Sequence, residues 1–477
     1  MFYGRDDVMN VLMALWGKKV SSLITCRGRR RIGKSTLIEQ FAKKSRARFI
    51  KIEGIKPDAT MTNAVQLANF GKYLALQTEA EDSVPSNWAV AFKRLDREIA
   101  DGERTIVLLD EISWMGRFDP RFADDLRIAW ENQWKKHDRL IVVLCGSVSS
   151  WIKDNIIDNT AYMGRRSGDF VLGELPLREC VKFWGRAAEK METREILDVL
   201  SVTGGVPRYL EEIDPGLSAD ENIRRMCYRP KSPLRVDFDE MFSDVIARQP
   251  TFAARVLRCL TDGPKTVSEI AGLLEMGKNG HISAALDQLA EAGFVAADQG
   301  RNPETGVDMR ERRYRLRDNY TRFYLKYVEP VKTVIDSDSY SFVSLEQLEG
   351  WDAVMGLAFE NLVLNHFREF LPRLGLGKAL VVSAAPYRKS GSEKRHVRGC
   401  QVDLLVQTEN TICLVEVKRR KSIDGGVIDE MDDKVEALSR PKGKTIRTAL
   451  VYDGELAKTV EASGYFNAIV NIREILL

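Results

Sequence analysis

The 477-residue sequence lacks paired cysteines, long apolar runs and a strong net charge, and each of these absences limits what the protein can be. The seven cysteines are scattered and form no Cys-x-x-Cys pair, so a zinc ribbon or a dithiol redox site is not expected. No apolar run approaches the length that crosses a bilayer. The net charge of +3 is nearly balanced, so any basic surface for nucleic acid must be local.

The compartment and the number of domains follow from the same composition. Asp6 and Asp7 lie where a signal peptide would be basic and apolar, and several cysteines lie in apolar strands as buried reduced thiols do. These features predict a cytoplasmic protein that does not enter a membrane. With 44% hydrophobic and 30% charged residues, a chain of this length is expected to form about three or four domains.

The most informative segment runs from Leu23 to Ile38. An apolar run precedes Gly28-x-x-x-x-Gly33-Lys34-Ser35, and an apolar periodic segment follows, which is the strand, loop and helix of a P-loop. Loop N–H groups and the helix N-terminus would hold the phosphates of ATP, with Lys34 as a catalytic cation and Ser35 as a ligand of Mg²⁺. The predicted nucleotide-binding residues of this segment are Gly28, Arg29, Arg30, Arg31, Ile32, Gly33, Lys34, Ser35 and Thr36.

Two further apolar runs predict strands of the same parallel sheet. Thr105–Leu109 leads to Asp110 and Glu111, where Asp110 would hold Mg²⁺ through water and Glu111 would polarise the attacking water. The run that ends in Ser147 would place this residue near the γ-phosphate, as a sensor, if its strand lies between the other two. The alternative is that Gly146-Ser147 simply ends a strand.

A turn with Arg165 and Arg166 precedes a last short strand over Phe170–Leu172. Either arginine would stabilise charge on the transferring phosphoryl group, from its own chain or from a neighbouring subunit, and the second case implies a homo-oligomer. The alternative is a pair of surface arginines in a turn. Together with the loop, Leu-Leu-Asp-Glu, Cys-Gly-Ser and Gly204-Gly-Val-Pro-Arg208-Tyr-Leu, this turn resembles the archaeal-type ATPase family of AAA-related P-loop ATPases.

The resemblance implies an α/β fold, with a five-stranded parallel sheet, helices on both faces and a helical lid in which Arg208 senses nucleotide. The predicted domains are an ATPase core (1–175), the lid (176–248), a winged helix (249–335) and a last α/β domain (340–477), with Asp336–Tyr340 as a linker.

The third of these domains combines a helix-turn-helix with a two-stranded wing. Thr266 and Glu269 form the capping box of its second helix. DNA contact would use the third helix and the wing, and the alternative is packing between domains. The polar side chains in question are Lys278, Asn279, His281 and Ser283 on the helix and Arg310, Arg312, Arg313, Arg315 and Arg317 on the wing.

The last domain carries Asp403 on one predicted strand and Glu416-x-Lys418 on the next. If the strands form a hairpin that turns at Glu409-Asn410, Asp403 lies opposite Glu416, and two such carboxylates suit one Mg²⁺. Lys418 would orient a water that the metal activates for attack on a phosphodiester, so Glu416 and Lys418 are the candidate catalytic residues. The alternative is a structural hairpin with a charged face.

This arrangement resembles the PD-(D/E)xK nuclease superfamily and the domain often fused to archaeal-type ATPases. The resemblance implies a metal site of Glu360, Asp403 and Glu416, although Gln401 replaces an acid that relatives often have. Two hypotheses follow. One is an ATP-dependent enzyme acting on nucleic acid, most simply DNA, and the other is an ATP-switched DNA-binding or scaffolding protein whose nuclease-like domain does not cut.

Overall fold

The structure, a computed structural model, describes residues 2–58, 60–99, 103–147, 150–236, 238, 250–277, 280–342, 344–391, 399–438 and 443–477. The chain divides into two compact units: Met1–Leu175 with Glu291–Gly293, and Pro176–Ala290 with Phe294–Leu477. All seven cysteines are free thiols. Within the described ranges, no helix is both long enough and apolar enough to cross a membrane.

The first unit alternates strands and helices. Its elements are α1 (Asp6–Trp16), β1 (Ser22–Gly28), α2 (Lys34–Ser45), β2 (Arg48–Glu53), α3 (Asn63–Gln77), α4 (Trp88–Glu98), β3 (Thr105–Asp110), α5 (Ile112–Gly116), α6 (Phe122–Asn132), β4 (Leu140–Gly146), α7 (Ser150–Ile152) and β5 (Gly168–Leu172). The strand order is β2-β3-β4-β1-β5, and every pairing is parallel. The predicted five-stranded parallel sheet is confirmed.

Both faces of this sheet are covered because its strands are apolar on both sides. On one face Leu23 and Val107 pack with a cluster that includes Phe92 of α4. On the other face Ile24 and Leu108 pack with the residues of α1 and α2. The parallel arrangement brings the carboxyl ends of β1, β3 and β4 to one edge, where the polar motif residues follow each strand.

The second unit begins with helices and ends with a mixed sheet. Its elements are α8 (Leu177–Val181), α9 (Thr193–Thr203), α10 (Pro207–Leu210), α11 (Ala219–Cys227), α12 (Pro250–Arg258), α13 (Val267–Leu273), α14 (Gly280–Glu291), β6 (Val295–Asp298), β7 (Arg313–Leu316), α15 (Asn319–Phe323), α16 (Lys332–Asp336), α17 (Trp351–Asn365), α18 (Phe367–Phe370), β8 (Ser383–Lys389), β9 (Cys400–Gln407), β10 (Thr411–Ile423), α19 (Gly426–Ala437), β11 (Thr445–Leu456), α20 (Lys458–Ala462), β12 (Ala468–Asn471) and α21 (Arg473–Leu476).

Helices α12 to α14 are followed by an antiparallel hairpin of β6 and β7, in the order that the sequence predicts. The capping box at the start of α13 is confirmed, because Thr266 Oγ1 accepts from the N–H of Glu269 and the Glu269 carboxylate accepts from the N–H of Thr266. His281 is exposed on α14. The predicted contact residues Lys278 and Asn279 lie outside the described residues.

Arg315 of β7, one of the candidate DNA-contact residues, is buried and cannot make the DNA contact that the sequence offered for it. Its side chain is 9% exposed, and its Nε lies 2.7 Å from Asp298 Oδ2. It also donates to the side-chain oxygens of Asn361 and Asn365 on α17. This arginine therefore joins the hairpin to the last domain, which is the packing role that the sequence left as an alternative for this segment.

The interpretation of Asp336–Tyr340 as a linker was also wrong. Asp336 ends α16 and pairs with the buried Arg235. The Tyr340 ring stacks on Tyr228 with centroids 5.1 Å apart. Polar composition suggested a solvated connection, but these two residues find partners that are distant in the sequence.

The last sheet has the strand order β12-β11-β10-β9-β8. Strand β10 pairs antiparallel with β9 and parallel with β11. The predicted hairpin register is confirmed from Ile412 opposite Gln407 through Val415 opposite Leu404, so the next pair in this register is Glu416 and Asp403.

Candidate functional site

The phosphate loop of the first unit requires glycine at two positions. A Cβ on Gly28 would lie 2.5 Å from the carbonyl oxygen of Leu172 in the neighbouring strand. Gly33, which precedes α2, has φ = 83°, in the left-handed region that glycine adopts without strain. The loop is therefore shaped by backbone constraints, and it leads directly into the N-terminus of a twelve-residue helix.

The charged and hydroxyl groups of the motif converge on this loop. Lys34 Nζ donates to the carbonyl oxygens of Gly28 and Arg29, at 3.0 and 3.1 Å. Ser35 Oγ donates to Asp110 Oδ2 at 2.5 Å. A hydroxyl and a carboxylate oxygen side by side are ligands that a hard cation prefers, so the residues present fit Mg²⁺.

Glu111 and Ser147 come from neighbouring strands. Strand β4 lies between β1 and β3, as the sequence required for a sensor, and the Ser147 N–H is 3.4 Å from Glu111 Oε2. Burial raises the pKa of Glu111, the Lys34 charge counteracts this, and the Asp110 charge adds to it. A carboxylate with a raised pKa is a better proton acceptor, which suits a general base.

The other loop residues differ in their surroundings. Ile32 is buried in the core beneath the sheet edge, and Thr36 is exposed in the first turn of α2. The Arg30 guanidinium lies over the Trp114 ring, 5.3 Å from its centroid. Arg31 has φ = 70°, so the loop bends sharply before Gly33.

Two residues near this site were not predicted from the sequence. Arg5 donates to the carbonyl oxygens of Ile32, at 3.2 Å, and Gly173, at 2.6 Å, and so supports the loop from the first helix. Lys51 Nζ lies 3.8 Å from Asp110 Oδ2 and 2.9 Å from Glu39 Oε1. The sequence signal that could have identified Lys51 is its position on β2, where apolar and polar residues alternate and the lysine faces the strand that ends in Asp110.

The predicted arginines of the ATP site have partners elsewhere. Arg165 donates to Glu131 Oε1 at 2.7 Å, and Arg166 donates to the carbonyl oxygen of Ile157 at 3.1 Å. Arg208 belongs to the second unit, where it pairs with Glu212 at 2.7 Å. Among the contacts described for Arg165 and Arg166, no hydrogen bond or ion pair joins either side chain to the loop.

A second site lies in the last domain, where Glu360 of α17, Asp403 of β9 and Glu416 of β10 line one pocket. Asp403 Oδ2 accepts from the N–H of Val417 at 2.9 Å, so this carboxylate is fixed against the neighbouring strand. Gln401 and Lys418 line the same pocket. The structure thus brings together every residue that the sequence predicts for this site.

Glu416 is almost fully buried, with 1% of its side chain exposed, and two lysines neutralise it. Lys418 Nζ lies 2.8 Å from Glu416 Oε1 and 2.6 Å from Glu430 Oε2. Lys434 of α19 pairs with the other oxygen of Glu416. Neither Glu430 nor Lys434 was predicted from the sequence. Both lie on α19, and no fixed spacing relates this helix to the Glu416-x-Lys418 motif.

The other two acids repel each other. Burial, followed by the charges of Asp403 and Glu416, raises the pKa of Glu360 to about 8. Burial, followed by the charge of Glu416, raises the pKa of Asp403 to about 6. Such perturbed carboxylates in a cleft are typical of functional sites.

No group of three or more His, Cys, Asp and Glu side chains in the described ranges is already arranged to hold a metal ion. Both oxygens of Glu416 bind lysine ammonium groups. The oxygen donors nevertheless suit a hard divalent cation, and a cation would relieve the repulsion between Glu360 and Asp403. The chemistry of these oxygen donors therefore fits Mg²⁺.

The basic side chains that precede this site in the sequence, from Arg388 to Arg398, are described only in part. Arg388 is exposed, while Lys389 Nζ donates to the carbonyl oxygen of Ala437 at 2.8 Å. Lys394, Arg395 and Arg398 lie outside the described residues. Beyond the site on β10, Arg419 is buried between Asp453 of β11, at 3.3 Å, and Asp198 of α9.

The parallel sheet, the loop and the acidic strand end together define the first unit as a P-loop ATPase domain of the AAA-like type. Residues 2–213 match the family model described as "ATPase domain predominantly from Archaea". This part of the chain is therefore an archaeal-type ATPase domain.

The similarity to a known protein also covers residues outside this domain. The uncharacterized protein MJECL04 of Methanocaldococcus jannaschii is 22% identical over 423 residues, which cover 88% of this chain and 87% of that protein. The Walker-type ATPase PABY2304 of Pyrococcus abyssi has a TM-score of 0.49 and 16% identity, over 68% of this chain and 96% of that one. The ORC2 protein of Aeropyrum pernix has a TM-score of 0.44 and 15% identity, over 70% and 94%.

Proposed function

We propose that the first unit hydrolyses ATP with the residues of the loop and of β3. The loop N–H groups and Lys34 hold the phosphates. Ser35 and Asp110 hold Mg²⁺, which when bound offsets the phosphate charge. Glu111 accepts the proton of the attacking water, and the Ser147 backbone N–H, 3.4 Å from Glu111 Oε2, keeps this carboxylate oriented.

Two variants test this assignment. Lys34→Ala is expected to abolish ATP binding, because it removes the cation that faces the loop. Glu111→Gln is expected to bind ATP normally and to hydrolyse it at least about 100-fold more slowly, which is the usual contribution of a positioned base. Turnover by Glu111→Gln at the parent rate would show that another residue activates the water.

We further propose that the second unit cuts nucleic acid at the cluster of Glu360, Asp403 and Glu416. The observation that carries this proposal is the convergence of three carboxylates and Lys418 in one pocket, with the pKa values of Glu360 and Asp403 raised by burial and then by neighbouring carboxylates. Carboxylates in a cleft whose pKa values are perturbed by burial and by specific charged neighbours are candidates for a functional site. A divalent cation, when bound, would offset charge on the scissile phosphate.

Within this site the chain's own groups have distinct tasks. Asp403 is held in place by the Val417 N–H and keeps its oxygens toward the pocket. Lys418 lies between Glu416 and Glu430, from which it can donate to a water or to a phosphate oxygen. Lys434 pairs with one oxygen of the buried Glu416 carboxylate and offsets its charge.

Nicking of supercoiled plasmid in Mg²⁺ or Mn²⁺ tests this proposal. The parent chain is expected to nick the plasmid, and Asp403→Ala is expected to lose this activity. Glu409→Ala, which changes an exposed acid in the β9–β10 turn, is the matched control and should remain active. Equal nicking by the parent and by Asp403→Ala, or none by either, would refute the nuclease.

The segment from α12 to β7 has the element order of a winged helix, and we propose that it contacts DNA through its exposed residues. His281 on α14 and Arg310 and Arg312 beside the hairpin remain available for phosphate contact. Their replacement by Ala is expected to weaken duplex binding and to lower its dependence on salt concentration. Binding that keeps the same salt dependence would leave this segment with its packing role alone.

One observation favours the second hypothesis, in which ATP switches a binding protein that does not cut. Both Glu416 oxygens are paired with lysines, and Gln401 lines the pocket where related sites often have an acid. This reading predicts nucleotide-dependent DNA binding with no nicking in any divalent metal. The plasmid assay therefore separates the two hypotheses.

A further inference from the structure

Lys51 of β2 lies beside Asp110, the proposed magnesium ligand of the first unit. Side chains of β2 alternate between the two faces of the sheet, and Ile50 and Ile52 belong to the buried cluster on one face. Lys51 therefore points to the opposite face, where Leu108, its partner in the parallel register, packs with the residues of α2. Lys51, Asp110 and the start of α2 thus share one side of the sheet.

The Lys51 ammonium is surrounded by three carboxylates. Its Nζ lies 2.9 Å from Glu39 Oε1, 3.8 Å from Asp110 Oδ2 and 4.0 Å from Glu53 Oε2. Burial disfavours the charged ammonium, but the hydrogen bond to Glu39 and the charges of the nearby acids outweigh this and raise the pKa of Lys51. The side chain therefore keeps its positive charge at neutral pH.

The main chain of Lys51 is fixed by a side chain of α3. Its N–H donates to Gln77 Oε1 at 2.8 Å, and its carbonyl oxygen accepts from Gln77 Nε2 at 2.5 Å. Strand β2 is at the edge of the sheet, so the Gln77 amide binds peptide groups that an inner strand would pair with a neighbour. The lysine side chain consequently starts from a defined backbone position.

Both carboxylate oxygens of Asp110 have partners. Oδ1 accepts from the N–H of Glu111 at 3.1 Å, and Oδ2 accepts from Ser35 Oγ at 2.5 Å. The Lys51 charge faces Oδ2, the oxygen beside the hydroxyl that would bind Mg²⁺. A metal ion bound here and the Lys51 ammonium would repel each other, because positive charges a few ångström apart interact unfavourably even in water.

The acids nearest to the phosphate loop are balanced by lysines. Asp110 and Glu111 carry the negative charges, and Lys51 and Lys34 bring two positive charges close to them. The two other acids around Lys51 have 44% and 45% of their side chains exposed, so water screens them. A bare divalent cation therefore gains little here, and the phosphates of ATP would bring the negative charge that attracts it.

We propose that Lys51 makes metal binding depend on ATP, because its charge compensates Asp110 and disfavours Mg²⁺ that arrives without the nucleotide. The inference rests on the proposed roles of Ser35 and Asp110 as magnesium ligands, and it adds a regulation of that site. Lys51 acts through its charge on Asp110, so it is a positioning residue and not a catalytic one.

Binding of Mn²⁺ to the full chain, followed by electron paramagnetic resonance of the free ion, tests this inference. Without nucleotide, Lys51→Met is expected to bind one Mn²⁺ roughly tenfold more tightly than the parent, since one repelling charge is removed. Lys51→Gln should behave like Lys51→Met, and Lys51→Arg, which keeps the charge, like the parent. Lys44→Met changes an exposed lysine of α2 and is the matched control. The acids of the second unit are unchanged in all these variants and contribute equally to each.

Two further measurements locate the effect. Adding Asp110→Asn to Lys51→Met should remove the gain in Mn²⁺ binding. The complex of Mn²⁺ with a non-hydrolysable ATP analogue should bind to Lys51→Met no more tightly than to the parent, because this complex is an anion that Lys51 attracts. A merely structural role of Lys51 would not move the binding of the metal and of its nucleotide complex in different directions.

The outcomes separate this inference from the proposed magnesium site. If Lys51→Met and Lys51→Gln bind Mn²⁺ alone no more tightly than the parent, or if the gain survives Asp110→Asn, the assignment of Lys51 is overturned. The magnesium site still stands in that case, provided that Asp110→Asn weakens binding of the metal–analogue complex. If Asp110→Asn leaves that binding unchanged, the proposed magnesium site fails and this inference fails with it.

Discussion

The mutual repulsion of the acids in the second unit predicts a pH-dependent gain in stability on replacing Glu360 by Gln. Burial and the neighbouring acids raise the pKa of Glu360 from 4.5 to about 8 in the folded chain. The folded chain therefore holds this proton more tightly than the unfolded chain does. Its free energy of unfolding falls as the pH rises between these two values.

The size of the effect follows from the same shift. At about 1.4 kcal/mol per pH unit, the ionised Glu360 destabilises the fold by at most about 5 kcal/mol above pH 8. Because Asp403 and Glu416 share this repulsion, we expect Glu360→Gln to recover about 2–3 kcal/mol at about pH 9 and almost nothing at about pH 5.

The measurement is urea unfolding followed by circular dichroism, in EDTA, with parent and variant compared at each pH. Asp352→Asn, an exposed acid in the first turn of the same helix, is the control, and its effect is expected to stay below about 1 kcal/mol at both pH values. Addition of Mg²⁺ at the higher pH should stabilise the parent more than Glu360→Gln. A difference that is the same at both pH values, or a variant less stable than the parent at about pH 9, would refute this account of the acids.

Three further substitutions test the architecture. Gly28→Ala should abolish ATP binding, measured by titration calorimetry, because its Cβ would lie 2.5 Å from the Leu172 carbonyl oxygen; normal affinity would contradict the loop geometry. Arg419→Met should lower the free energy of unfolding by about 3 kcal/mol or more, because the largely buried carboxylates of Asp198 and Asp453 lose their cation. The neighbouring Arg420 has 59% of its side chain exposed, so Arg420→Met should change the free energy of unfolding little. Arg315→Met should lower the free energy of unfolding by about 2–4 kcal/mol, since a buried acid and two amides lose a donor. A thermal unfolding midpoint equal to that of the parent would contradict this prediction.

Local patterns determined much of the first unit. Phosphate loops and buried parallel strands have sequence signatures because their backbone geometry demands glycine at Gly28 and Gly33 and near-continuous apolar runs. The same holds for the β9–β10 hairpin, whose short turn fixed the register from Ile412–Gln407 to Val415–Leu404, directly before Glu416 and Asp403. In these cases each feature depends on residues that are close in the chain.

Features that depend on distant residues were decided by the tertiary structure alone. Lys434 reaches Glu416 from the following helix, and Arg419 finds Asp198 more than two hundred residues away. A charged side chain in a sequence looks the same whether water, DNA or a buried partner will satisfy it, so for the wing arginines the sequence left DNA contact and packing between domains as alternatives. The sequence by itself determined the ATPase loop and the pairing of the two acids. Only packing decided that Arg315 is buried, that the hairpin packs against α17, and that Glu416 carries two lysines, because burial and charge pairing are set by which surfaces meet.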